Sequence, residues 1–246
     1  MLREAQFSAK VQRQMRAEGV VFAYSQTQAS EQSAANRGNL YASASALNQR
    51  LREWKDIEDW EAPWNLLEGA RVLDIASGSS IGPKFQDRDI ERIFGDRFMK
   101  DYPHFSRLAA INGAQTIAID ISPQSEADQK LFTGVTLDVI QAVKEEALAS
   151  LPQVKDGGFD IINSCNFVGD NTPPSFESQL RKYGFSTDEF EQALVDQLKP
   201  LLAEGGLMDL DLIKYIVKPL DWHRKRLNSY YYKKSGGEVT EINRRF

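Results

Sequence analysis

Arg71-Val72-Leu73-Asp74-Ile75-Ala76-Ser77-Gly78-Ser79-Ser80-Ile81-Gly82 is the stretch on which the fold turns. A short apolar run stopped by small residues reads as a buried strand of a parallel sheet entering a tight loop. The same rhythm recurs towards the C-terminus. Thr116-Ile117-Ala118-Ile119-Asp120 reads as a second buried strand ending in an acid, and Thr133 to Leu137 as a weaker third. Phe159-Asp160-Ile161-Ile162-Asn163-Ser164 is a fourth and Gly206 to Leu212 a fifth. Helical stretches fall between them, at about Asp87 to Asn112, Leu137 to Ser150 and Thr187 to Leu202. The last carries capping signals: Ser186 and Thr187 at its start, Asp188 and Glu189 at its positive end, and Gly205-Gly206 just beyond. Alternating strands and helices predict βαβ units and a mostly parallel sheet with helices on both faces.

Outside this block the pattern changes. Residues 1–65 are rich in Ala, Gln, Ser and Arg, with scattered aromatics, and read as a helical cap with helices at 2–18 and 42–60. Leu47, Leu51 and Trp54 give the second helix one apolar stripe. At the other end, Asn228 to Tyr232 and Glu238 to Ile242 flank Ser235-Gly236-Gly237, which predicts a terminal antiparallel hairpin. The expected organisation is therefore a cap over 1–65 and an α/β Rossmann-like domain over 66–246 with an insertion at about 84–110.

Bulk properties narrow the function. The chain has 246 residues, 41% of them hydrophobic, as in an ordinary folded protein. Its formal net charge is −5, which disfavours nucleic acid as a partner. The single cysteine, Cys165, forms no intrachain disulfide and suits a reducing compartment. There is no apolar run of signal-peptide or membrane-span length. The expectation is a soluble cytoplasmic protein with no membrane partner.

In open α/β sheets ligands bind beyond the carboxyl ends of the strands. The small residues after Asp74 let backbone approach a ligand closely. A carboxylate at Asp120 can accept from both hydroxyls of a ribose, and Asp138 follows the third strand, where an acceptor can meet an adenine amino group.

This constellation resembles the class I S-adenosylmethionine-dependent methyltransferases. Asp74 matches the acid of their first motif, and Ala76, Gly78 and Ser80 stand at the three positions usually held by glycine. Asp120 matches the acid ending the second strand, with Ile121 as the apolar contact to adenine, and Asp138-Val139 matches the third motif. Phe159 to Asn163 matches the fourth strand, and Leu198 to Gly206 the helix and turn before the fifth. The resemblance covers roughly 66–215 and implies S-adenosyl-L-methionine as cofactor, held by Asp74, Ala76, Ser77, Gly78, Asp120, Ile121, Asp138, Val139 and Asn163. Two departures stand out. One of three glycines is kept, and the gap from Asp74 to Asp120 exceeds the family's usual single helix. A dinucleotide loop fits poorly, because Ala76, Gly78 and Ile81 occupy its glycine positions.

A methyl on a sulfonium is already activated, so transfer needs in-line positioning and sometimes a base. The catalytic candidates are His223, read as lying in a polar helix after the fifth strand, and Asp209 and Asp211, two acids on one face of that strand. An ion pair to a nearby Lys or Arg is the alternative for the acids. His104 is a weaker candidate. For the acceptor, Asn166 and Phe167 follow the fourth strand, and Tyr24 and Tyr41 flank a polar loop of the cap whose aromatic faces suit a sulfonium. No metal-ligand spacing occurs. The expected activity is methyl transfer to a small molecule. The alternatives are other chemistry on the same cofactor, and a non-catalytic partner subunit; a homodimer is left open.

Overall fold

The computed structural model describes residues 43–44, 46–59, 62–78, 103–150, 158–165, 176–218 and 221–241, with residues 150, 165, 176–177, 211–218 and 221–231 described by backbone alone. The predicted helix at 2–18, Tyr24, Tyr41, Ser80, the bulk of the insertion, Asn166 and Phe167 lie outside these residues.

A seven-stranded sheet organises the chain. Its strands are β1 (Arg71–Ile75), β2 (Gln115–Asp120), β3 (Thr133–Thr136), β4 (Phe159–Cys165), β5 (Leu202–Lys218), β6 (Asp221–Ser235) and β7 (Glu238–Glu241). They lie in the order β3-β2-β1-β4-β5-β6-β7. The first five pair in parallel, while β6 and β7 follow as an antiparallel meander. Strand order reverses between β1 and β4, which places the binding crevice of such sheets at their carboxyl ends.

Both faces of the sheet are covered, as the uninterrupted apolar runs required. On one face Leu73, Ile75, Ile117, Ile119, Ile162, Met208 and Leu210 pack under α4 (Val139–Lys144), α5 (Phe176–Tyr183) and α6 (Thr187–Leu198). On the other, Val72, Ile161 and Leu207 pack under α1 (46–54) and α2 (His104–Ile111). The predicted stripe of Leu47, Leu51 and Trp54 is what α1 buries there. A short helix, α3 (Glu126–Gln129), joins β2 to β3. Among the described residues no helix is long and apolar enough to cross a membrane.

Three expectations about elements change. The fifth strand is 17 residues long rather than seven. The stretch holding His223 is strand β6, not a polar helix, and His223 stands opposite Ile216 of β5. Its charged sequence lacks a strand-like alternation, and pairing to β5 along its length overrides that local signal. The helix predicted over Leu137 to Ser150 is shorter: α4 closes at Lys144 before a 3-10 turn at Leu148–Ser150.

Candidate cofactor site at the carboxyl edge

The loop after β1 turns sharply. Ala76 has φ +53° and Gly78 φ +82°, so the chain passes twice through the left-handed region within three residues. Hydrogen bonds to the neighbouring strand end hold this shape. Ser77 N–H donates to the Ile119 carbonyl at 3.0 Å, and Gly78 N–H donates to Asp120 Oδ2 at 3.0 Å. Asp120 Oδ1 accepts from Ser122 N–H at 2.8 Å. Each carboxylate oxygen thus accepts one backbone N–H, and the Ser122 hydroxyl adds a third hydrogen bond to the carboxylate; two oxygens with two lone pairs each leave room for one donor more. Burial raises the Asp120 pKa, and the hydrogen bonds from the Ser122 and Gly78 N–H groups and from the Ser122 side chain oppose that shift. Beside it Ile121 is 60% exposed, an exposed large hydrophobic next to a polar strand end.

Asp74 sits one layer below. It lies in a row of in-register residues that crosses three strands: Asp74 of β1, Asn163 of β4 and Asp209 of β5. All three are buried. Asn163 Nδ2 donates to Asp74 Oδ1 at 2.7 Å, and Ser106 Oγ of α2 donates to Asp74 Oδ2 at 2.5 Å. Arg50 of α1, itself 2% exposed, donates through Nε to Asn163 Oδ1 at 3.1 Å and pairs with Asp209 Oδ2 at 2.7 Å. The polar side chains that face helices α1 and α2 are therefore joined to one another, as groups removed from water must be. Burial pushes the Asp74 carboxyl up to about 6, despite the hydrogen bonds from Ser106 and Asn163.

Asp138 stands further out. Its Oδ1 accepts from Ile140 and Gln141 N–H, capping α4, and its Oδ2 accepts from the Tyr183 hydroxyl at 2.8 Å. Val139 is buried in the core beneath α4.

No protein-family model matches the chain, and no curated protein matches it in sequence. Solved structures do resemble it. One is the S-adenosylmethionine-bound structure of CalS10, an amino pentose methyltransferase from Micromonospora echinaspora: 11% identity, 89% of this chain, 81% of that one, TM-score 0.38. A TehB-like S-adenosylmethionine-dependent methyltransferase from Corynebacterium glutamicum has 16% identity, 69% and 72% coverage and TM-score 0.32. The sugar N-methyltransferase KedS8 from Streptoalloteichus has 13% identity, 85% and 73% coverage and TM-score 0.35. The likeness is distant.

The predicted residues divide by position. Ala76, Ser77, Gly78, Asp120 and Ile121 gather at the carboxyl edge of β1 and β2. Asp74 and Asn163 lie beneath that edge with their side chains bonded to each other. Asp138 and Val139 serve the start of α4. Asp209 has the ion pair that the alternative reading anticipated, with Arg50 as its partner. Asp211 stands opposite Cys165 and Ser229 in the backbone register. His104 is buried at the start of α2, and burial together with the Arg107 charge lowers it to about 3. Three site residues were missed. Arg50 carried a signal, since it lies three residues from Leu47 and four from Trp54 on the buried stripe. Ser106 and Gln124 carried none, because their partners are remote in sequence.

Proposed function

We propose that this chain binds S-adenosylmethionine at the carboxyl edge of β1 and β2 and transfers its methyl group to a small-molecule acceptor. The observation that carries the reading is the pairing of the two strand ends. The left-handed turn at Ala76 and Gly78 is fixed to Asp120, whose carboxylate stands at the end of β2 with room for a further donor. A ribose hydroxyl matches that acceptor, with the second hydroxyl able to take the place of the Ser122 hydroxyl on it, and the exposed Ile121 offers an apolar surface for adenine. The fit is thus to a nucleoside flanked by a compact backbone turn. When bound, the cofactor supplies a methyl activated by the sulfonium, and what the protein must add is alignment of the acceptor.

The acceptor side of the site is the β5–β6 arm. β4 ends its pairing with β5 at Cys165 opposite Asp211, whereas β5 and β6 continue to Lys218 opposite Asp221. The arm therefore runs past the carboxyl edge, and a register shift between Leu212 and Ile213 bends it there. His223 belongs to this arm.

Calorimetric titration with S-adenosylmethionine tests the cofactor reading. Binding in the micromolar range is expected, and Asp120→Ala weakens it at least about tenfold, the loss of a charge-assisted hydrogen bond or two. No heat at millimolar cofactor sinks the reading. Replacing residues 213–226 by an Asn-Gly turn tests the arm: cofactor affinity is retained and release of S-adenosylhomocysteine with an acceptor is lost.

A further inference from the structure

Gln124 lies in the loop between β2 and α3 and is 4% exposed. Its Nε2 donates to the Gly78 carbonyl at 2.8 Å and to Ser77 Oγ at 3.3 Å. The Gly78 residue is thereby held at both its polar groups, its N–H by Asp120 and its C=O by Gln124 at 2.8 Å, with a longer contact from Ser77 Oγ at 3.2 Å. The other end of the amide has no such partner: Oε1 is buried without a hydrogen bond. A buried acceptor left unpaired is costly. Leu or Met would fill the same space without that cost. Packing therefore does not explain an amide here, and the bond to Gly78 does.

A second observation comes from β3. Gly134 pairs opposite Ala118 and its backbone is not in the left-handed region, so conformation does not demand glycine. Space does. A Cβ on Gly134 would stand 2.6 Å from Gln124 Cγ and 2.9 Å from its Cβ. These are the inner atoms of the side chain, so an alanine here displaces the whole Gln124 rather than its tip. Gly134 leaves the space in which Gln124 lies, and Gln124 reaches from there to the turn after β1.

We infer that Gln124 is a positioning residue for the cofactor turn, that Gly134 is glycine to make room for it, and that the pair sets the affinity for the nucleoside cofactor without touching it. The inference rests on the cofactor reading above. Gln124 acts on the carbonyl of the same residue whose N–H meets Asp120. Loss of this bond leaves the Gly78 carbonyl only its longer contact with Ser77 Oγ, which loosens the peptide and moves the donor that orients the Asp120 carboxylate.

A double-mutant cycle on the full chain tests this, with S-adenosylmethionine affinity measured by calorimetry well below the melting temperature and Tm measured alongside. Gln124→Ala is expected to raise Kd about tenfold. Gly134→Ala, which sits on β3 and away from the turn, is expected to raise it by a similar factor and to lower Tm. In the Gln124→Ala background, Gly134→Ala is expected to leave Kd unchanged and to cost no further Tm, because the clash is gone. Amide hydrogen exchange at Gly78 in the cofactor-free protein should speed up in both single variants. A purely structural Gln124 would lower Tm with Kd and Gly78 exchange unmoved, and that result overturns the assignment. Additive effects of the two substitutions on Kd overturn it as well. If the wild type binds no S-adenosylmethionine at millimolar concentration, the cofactor reading fails and takes the assignment with it, whereas wild-type binding with an unaltered Kd in Gln124→Ala defeats the assignment alone.

Discussion

Burial moves Asp74 and His104 in opposite directions, and the consequences for stability offset. Asp74 is raised from 3.8 to about 6, so between pH 4 and 6 the folded chain keeps a proton that the unfolded chain releases. Stability from this group is present at low pH and is lost as pH rises through 6. His104 is lowered from 6.5 to about 3, so over the same interval the unfolded chain holds a proton that the folded chain refuses. Stability from this group is lost as pH falls below 6.5. Each slope is at most about 1.4 kcal/mol per pH unit. Urea unfolding at pH 4, 5 and 6 should therefore tilt in opposite senses relative to the wild type: Asp74→Asn steepens the gain with rising pH, and His104→Gln does the reverse. Two variants that track the wild type would refute the compensation. Arg50 makes a second residue-scale prediction. Arg50→Met leaves Asp209 charged and buried, at a cost of about 3–5 kcal/mol. Arg50→Met with Asp209→Leu should recover most of that loss, as followed by denaturant midpoint.

Among the elements, the start of α6 was the most legible in the sequence and the uses of helix starts the least. Ser186 caps α6 as expected, and Glu189, expected only as an acid at the positive end, also reaches back to close a capping box with it, both partners lying within one turn. Asp138 shows the opposite. Its position after β3 suggested a ligand contact, but local backbone geometry spends one carboxylate oxygen on α4. Asp138→Ala should cost about 1 kcal/mol of stability from the lost cap, seen as a lowered Tm. If the same substitution also abolishes cofactor binding without lowering Tm, the capping account is wrong. α5 went unread, since Pro173-Pro174 and a polar run obscured its start. The row of Asp74, Asn163 and Asp209 was unreadable for a deeper reason. Register between strands is a non-local quantity, and Asp74 and Asn163 are 89 positions apart.

At the level of the whole molecule, strand alternation sufficed to predict the parallel half of the sheet, because buried runs and their spacing are local signals. The antiparallel half was read only at its last turn, where Gly236-Gly237 marks the bend between β6 and β7. Glu204 accepts from both glycine N–H groups, which ties that bend to the start of β5.

The two outermost strands bring a consequence for association. β3 and β7 are four residues each, and β7 carries Glu238 and Glu241, both exposed. Short, acidic margins are poor templates for another chain to pair with. A second copy should therefore join through helices, not by extending the sheet sideways. Glu238→Val with Glu241→Val removes that repulsion, and light scattering on warming should then reveal concentration-dependent aggregation that the unaltered chain resists.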